Sequence, residues 1–229
     1  MKALARVHGI HVHPRRVRVL CDRFCQLLPD GARVLDVGSG DGWLARLLMN
    51  ERPDLAITGI DVLVRDQTHI SVAPFDGVTI PYADGSFDAV LFVDVLHHTT
   101  DPMVLLREAR RVTRNTLVIK DHPCESFVSA GVLRFMDWVS NKKHGVVLPY
   151  NYWSRQQWLD AFQELGLTTH TWMKDLKLYP GAADWVFGRS LQFIVRVDVE
   201  GTTRGDLAAR RSPTTGREIS SPMSMNNPS

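Results

Sequence analysis

The segment Val34-Leu-Asp-Val-Gly-Ser-Gly-Asp-Gly42 constrains the fold of this chain more than any other. The short β-rich run from Arg33 to Val37 predicts a strand, and the stretch from Trp43 to Asn50 predicts a helix. The glycines between them let the backbone turn sharply and lie close to a ligand, and the N–H groups of the following helix favour an anionic group. We therefore expect a strand, a glycine turn and a helix that together bind a nucleotide-like cofactor.

Further strands and helices alternate along the chain. Continuous apolar runs predict parallel strands covered on both faces at Ala56 to Val62, Ala89 to Val93 and Thr116 to Ile119. Residues Thr168 to Leu178 and Leu191 to Val197 predict the last two strands. Helices are predicted at His13 to Leu28, after the Asp101-Pro102 start signal, and after the Ser154/Gln157 capping box. This order indicates an α/β, doubly wound, mostly parallel sheet with ligands at the carboxyl ends of its strands.

The composition changes along the chain suggest one domain over residues 1–200. A helical lid insertion at about 123–153 interrupts the alternation and is rich in aromatic side chains. Residues 201–229 are mostly polar, which is typical of a disordered tail.

Charge and hydropathy narrow the choice of partners. The chain has 27 Lys and Arg against 25 Asp and Glu, so it lacks the basic excess of a nucleic-acid-binding protein. It also lacks an apolar run long enough to span a membrane and the apolar core of a signal peptide, so we expect a cytoplasmic protein. Cys21, Cys25 and Cys124 are accordingly expected to be thiols.

The glycine pattern separates two cofactor classes. A nicotinamide dehydrogenase requires a third glycine three residues after the second, but Trp43 stands there. Instead, Asp36 with the three glycines resembles the first motif of class I S-adenosylmethionine-dependent methyltransferases. The stretch from Ile80 to His98 (IPYADGSFDAVLFVDVLHH) resembles the "LP…D.SFD.V…LHH" segment of their type-11, quinone-methyltransferase-like branch.

The resemblance implies a seven-stranded Rossmann-like methyltransferase fold and S-adenosyl-L-methionine as the cofactor. Asp61 resembles the family acid that binds the ribose hydroxyls, and Asp76 resembles the acid at the adenine amino group. Asp36 has two open roles, at the methionine ammonium or as an acid that pins the glycine loop. The complete implied cofactor set is Asp36, Gly38, Ser39, Gly40, Asp61, Val62, Phe75, Asp76, Gly77 and Val93. Residues 62–70 depart from the family, since they are too short and polar for its usual helix.

Catalysis requires a proton acceptor if a hydroxyl is methylated, and histidine suits that task. His122 is the preferred base because it follows a strand at the expected site edge, with Asp121 and Glu125 available to orient it. His98 and Glu125 are alternative bases. The His97-His98 pair and His122 can equally have packing roles. No metal requirement is predicted, since the spacing resembles no zinc motif.

The acceptor is expected to be a small molecule that binds between aromatic walls with polar groups. Arg134, Trp138, Tyr150 and Tyr152 are the predicted contacts, although Trp138 can instead pack the insertion onto the sheet. Arg15 and Arg16 on the first helix are expected to form a solvated basic face.

Together these features predict an S-adenosylmethionine-dependent methyltransferase that acts on a natural product, lipid or sugar, at oxygen. Methylation at nitrogen or carbon is an alternative, as is a catalytically inactive subunit of the same fold, which the intact glycine motif and cofactor acids disfavour. Nucleic-acid or protein methylation is also disfavoured, because the chain lacks a basic face and an Asn/Asp-Pro-Pro-Tyr-type motif.

Overall fold

The computed structural model describes residues 13–124, 151–178 and 191–201. The elements up to the centre of the sheet are α1 (His13–Leu27), β1 (Arg33–Val37), α2 (Trp43–Glu51), β2 (Ala56–Asp61), β3 (Val72–Pro74) and β4 (Phe87–Val93). A 3-10 turn (Leu96–His98) follows, and then α3 (Pro102–Val112), β5 (Thr113–Asp121), α4 (Arg155–Glu164), β6 (Leu167–Met173) and β7 (Phe193–Val199). In these ranges, no helix combines the length and apolar character needed to cross a membrane.

The helix-start signals in the sequence are confirmed. The Asp101 side chain accepts a hydrogen bond from the Met103 backbone N–H at 2.9 Å, with Pro102 in the first turn of α3. Ser154 and Gln157 form a reciprocal capping box at the start of α4. Each cap satisfies backbone N–H groups that have no partner within the helix, so these starts are specified locally.

The described strands form one seven-stranded sheet in the order β3-β2-β1-β4-β5-β7-β6. Strands β1 to β5 pair in parallel, whereas β7 is antiparallel to both β5 and β6. The predicted doubly wound, mostly parallel sheet is therefore confirmed. Strand β3, a three-residue edge strand, was not predicted, because Val-Ala-Pro is too short to show a period.

Alternate side chains of the strands enter two separate cores. Val34, Leu91 and Val118 pack with α1 and α2 on one face, whereas Leu35, Phe92 and Ile119 pack with α3 and α4 on the other. This burial on both faces accounts for the continuous apolar runs in the sequence. Because β1 and β4 are neighbours while the chain leaves them in opposite directions, the crevice for a ligand opens at their carboxyl ends.

Candidate functional site

The glycine loop leaves β1 at this crevice. The backbone N–H groups of Gly38 and Ser39 both donate to the Ile60 carbonyl, at 2.8 and 3.2 Å. A Cβ at Gly38 would lie 2.5 Å from Cγ2 of Val95, so a larger residue does not fit. Gly40 has a φ of +60°, and a Cβ there would meet no atom within 4 Å. The loop thus leaves open space beside Gly40, into which a ligand can approach the backbone.

Asp61, at the end of β2, holds this loop in place. Its Oδ2 accepts the Gly40 backbone N–H at 2.8 Å, and its Oδ1 accepts the Leu63 N–H at 2.8 Å. Since a carboxylate offers about four lone-pair positions, each oxygen can accept one more hydrogen bond. The loop-pinning role considered for Asp36 is therefore performed by Asp61 and the Ile60 carbonyl.

Asp36 has a different environment. It is 3% exposed and lines the space beside the loop. Burial, and then the negative charge of Asp61, raise the pKa of Asp36 to about 7. A cation placed against this carboxyl group would therefore favour its ionised form.

Two cavities adjoin the loop, and Gly38 lines both. The inner cavity, of about 190 Å³, lies between α1 and the loop. The outer cavity, of about 460 Å³, lies between β2, β3 and the start of α3. Predicted cofactor residues line the inner cavity at Asp36, Gly38, Ser39, Gly40 and Val93, and the outer cavity at Gly38, Asp61, Val62, Phe75 and Gly77. Both cavities therefore open along the edge at which the sequence predicts the cofactor.

Asp76 is placed differently from these residues, since it lines neither cavity. Its Oδ1 accepts the backbone N–H groups of Val78 and Thr79, at 2.8 and 2.6 Å, and these bonds lower the pKa of Asp76. The carboxylate shapes the turn that presents Phe75 and Gly77 to the outer cavity. The contact of Asp76 with the adenine amino group remains a prediction. Its Oδ2 would accept that hydrogen bond, because Oδ1 already accepts two.

A charged cluster forms part of the wall of the inner cavity, through Arg16 and Asp94. Asp94 follows β4 with a φ of +58°, and its carboxylate forms ion pairs with Arg16 of α1 and Lys120 of β5. Although burial opposes ionisation, the charges of Lys120 and Arg16 hold the pKa of Asp94 well below its usual range. Burial lowers the pKa of the fully buried Lys120 to about 8, despite the opposing Asp94 charge. Arg16 is therefore paired across the cavity and does not belong to the solvated face that we expected.

His122, the preferred base, lies beneath this cluster and lines neither cavity. Its Nδ1 lies 2.7 Å from the Leu191 carbonyl oxygen, and its Nε2 lies 3.1 Å from Asp94 Oδ1. Burial and the Lys120 charge lower the pKa of His122, against the effect of Asp94. Each ring nitrogen thus faces an oxygen atom of the protein itself. The geometry favours the structural alternative for His122 over proton transfer.

His97, His98 and Tyr152 form a ring stack beside the outer cavity. The His97 ring lies 4.0 Å from the His98 ring and 5.4 Å from Tyr152, with which it is stacked. His97 Nδ1 lies 2.5 Å from Asp121 Oδ1, and both residues are almost completely buried. Asp121 therefore orients His97 and not the His122 ring, which it meets only through the His122 backbone N–H at 2.7 Å. Within the stack, His98 is the member that lines the outer cavity.

Four predicted residues lie outside the described ranges: Glu125, Arg134, Trp138 and Tyr150. Sequence reasoning missed the roles of Asp94 and Arg16, and it assigned Lys120 no partner. The signals available were an Asp between apolar residues at the end of β4 and a Lys at the end of a buried strand. Neither signal identifies a partner, because these residues meet only when α1, β4 and β5 pack together.

Comparisons with known proteins agree with this geometry. A family model described as a methyltransferase domain matches residues 10–171. The 27-O-demethylrifamycin SV methyltransferase of Amycolatopsis mediterranei (strain S699) is 32% identical over 110 residues, which cover 42% of this chain and 40% of that one. The 2-methyl-6-phytyl-1,4-hydroquinone methyltransferase of Synechocystis sp. (strain ATCC 27184 / PCC 6803 / Kazusa) is 30% identical over 138 residues, or 56% and 38% of the two chains. This chain thus spans about two fifths of the length of these relatives.

A solved structure shares the fold over most of the chain. The Haloferax volcanii complex of the Trm112 methyltransferase activator with a methyltransferase matches with a TM-score of 0.63 and 17% identity. The match covers 89% of this chain and 97% of that one. At this identity, the likeness extends to the fold alone.

Proposed function

Because the chain belongs to the class I S-adenosylmethionine-dependent methyltransferases, we propose that it is an enzyme that methylates a small molecule at an oxygen atom. The observation that carries this proposal is the pair of cavities that share Gly38 and are lined by nine of the ten predicted cofactor residues, all but Asp76. The name of the Amycolatopsis relative, a 27-O-demethylrifamycin methyltransferase, supports oxygen as the accepting atom and a small molecule as its carrier.

The residues present fit the cofactor. Gly40 leaves the loop backbone open to a ligand, and a Cβ there would project into space that the ligand needs. Ser39 lines the same inner cavity as Gly40, and its side chain packs against Gly59 of β2, where a Cβ would lie 2.4 Å from the Ser39 Oγ.

Each part of the cofactor has a proposed partner in this chain. Asp61 retains a lone pair on each oxygen for two ribose hydroxyls, while it also holds Gly40. Phe75 and Gly77 form walls for the adenine ring, and the carboxyl group of Asp36 lies where an ammonium group would favour its ionisation. When bound, S-adenosylmethionine supplies a methyl group on a sulfonium, which an acceptor atom displaces directly.

The chain must also receive the proton of an acceptor hydroxyl. We assign this task to His98, because it lines the outer cavity whereas His122 lines neither cavity. We propose that the acceptor contacts come from the segment between Cys124 and Asn151, as the sequence predicts. The Asn151 N–H at its end donates to the His97 carbonyl oxygen, beside the predicted cofactor cavity.

A transfer assay tests the function and the base together. Methyl-labelled S-adenosylmethionine and the protein are incubated with a protein-free metabolite extract, and labelled products are identified by mass spectrometry. We expect one labelled small molecule, and His98→Ala should reduce its formation by a factor of about 10²–10⁴, the usual contribution of a positioned proton acceptor. The matched control, His170→Ala on the exposed part of β6, should retain wild-type turnover.

Two outcomes would contradict these assignments. No detectable binding of S-adenosylhomocysteine by calorimetry at high protein concentration would favour the inactive subunit. Wild-type turnover in His98→Ala together with a large loss in folded His122→Ala would return the role of base to His122.

The raised pKa of Asp36 predicts a pH-dependent affinity for the cofactor product. With a pKa of about 7, this carboxyl group is mostly protonated at pH 6 and mostly ionised at pH 8. Because the ammonium group of the ligand prefers the ionised form, binding should release a proton and S-adenosylhomocysteine should bind about tenfold more weakly at pH 6 than at pH 8. Calorimetry in two buffers of different ionisation enthalpy measures both quantities. Asp36→Asn should bind weakly with little pH dependence; an unchanged pH profile would exclude Asp36 as the titrating group.

A further inference from the structure

Asn151 connects the acceptor side of the site to the wall of the outer cavity. Its backbone N–H donates to the His97 carbonyl oxygen at 3.2 Å, and its Nδ2 donates to the Thr100 carbonyl oxygen at 2.9 Å. One residue thus binds both ends of the four-residue segment from His97 to Thr100. This residue carries no motif and was not singled out from the sequence.

The segment that Asn151 holds forms part of the wall of the outer cavity. His98, Thr99 and Thr100 all line the outer cavity. Local hydrogen bonds shape the segment as far as Thr99: the N–H groups of His98 and Thr99 donate to Val95 and Leu96, at 3.0 and 3.1 Å. The Thr100 carbonyl lies beyond these local bonds, and the side chain of Asn151 provides its contact at 2.9 Å.

Asn151 also has a defined place in the chain. The N–H of Cys124 donates to the Trp153 carbonyl at 3.0 Å, so the two ends of the intervening segment are joined close to Asn151. Tyr152, the next residue, stacks on His97, which Asp121 holds from the other side. The segment in which we expect the acceptor contacts therefore begins and ends at the wall of the cofactor cavity.

We propose that Asn151 is a positioning residue that holds the His97–Thr100 segment, and with it His98, against the outer cavity. This inference rests on the proposed function, since it assigns that cavity to the cofactor and His98 to proton transfer. A change at Asn151 should therefore alter the cofactor site, although Asn151 itself lines neither cavity.

The test compares Asn151→Ala and Asn151→Asp with Asn50→Ala, a control at an exposed position near the end of α2. Asn151→Ala should raise the dissociation constant for S-adenosylhomocysteine about three- to tenfold, the effect of losing one ordinary hydrogen bond. Asn151→Asp should have the larger effect, because a carboxylate cannot donate to the Thr100 carbonyl and is repelled by it. Asn50→Ala should bind as the wild type does.

Proton NMR of the histidine rings reports the position of the wall directly. The His98 resonance, identified by its absence in His98→Ala, should shift in both Asn151 variants, whereas those of the exposed His69 and His170 should not. An unchanged dissociation constant in Asn151→Asp would overturn the inference, as would equal shifts of all histidines, which would indicate general loosening. If the wild type itself fails to bind S-adenosylhomocysteine, the proposed function fails instead, while the NMR shift still reports whether Asn151 positions His98.

Discussion

Asp61→Ala is expected to weaken binding of S-adenosylhomocysteine by a factor of about 10²–10⁴. Two ribose hydroxyls would lose a charged acceptor, and each such hydrogen bond contributes roughly 1.5–3 kcal/mol. The same substitution removes the acceptor for the Gly40 and Leu63 N–H groups, so the glycine loop loses its support as well. Both effects act in the same direction.

Isothermal titration calorimetry measures this effect, with circular dichroism to verify the fold. Asp66→Ala is a suitable control, because it removes an exposed carboxylate five residues further along the chain. The control should bind as the wild type does. If folded Asp61→Ala binds S-adenosylhomocysteine with wild-type affinity, Asp61 supports the loop without contacting the ligand, and the ribose assignment is wrong.

Asp94→Asn is expected to destabilise the protein by about 3–5 kcal/mol. Asn is among the residues that tolerate the left-handed backbone at this position, where φ is +58°, so the substitution removes charge with little added strain. Lys120, which is fully buried, and Arg16 would then lose their carboxylate partner. Removing one partner of a buried ion pair is costly because it leaves an uncompensated charge.

Urea unfolding of single and double variants tests this account. The double variant Asp94→Asn/Lys120→Met removes the Asp94 carboxylate and the buried Lys120 ammonium group together. It should recover much of the lost stability, since a buried ion pair can often be replaced by apolar groups. Asp84→Asn is the surface control: Asp84 pairs with Arg111 but its side chain is 81% exposed, so the change should stay within about 0.5 kcal/mol. A loss in Asp94→Asn no larger than in this control would show that the cluster contributes little to stability.

Strand β1 and the starts of two helices could be predicted because the residues that specify them lie close together in the sequence. Strand β1 was predicted with the ends that the structure shows, since a short β-rich run there is bounded by a glycine turn. The start of α3 followed from Asp101 and Pro102, and that of α4 from Ser154 and Gln157, because a cap lies within three residues of the N–H group that it satisfies. The glycine loop was likewise located by its local pattern, whereas Asp61 was located by its resemblance to the family acid at the end of the second strand.

The sequence alone therefore determined the fold class, the edge of the sheet that carries the site and the cofactor class. Only the tertiary structure decided which side chains meet there. His122 and His98 both follow central strands, yet one is buried between Leu191 and Asp94 and the other lines a cavity. Asp94 forms ion pairs with Arg16 and Lys120, and the Asn151 side chain donates to the Thr100 carbonyl oxygen, although these residues are far apart in the sequence. Spacing along the sequence cannot specify such contacts, since they depend on strand order, on the face to which each side chain points and on the packing of α1 against the sheet.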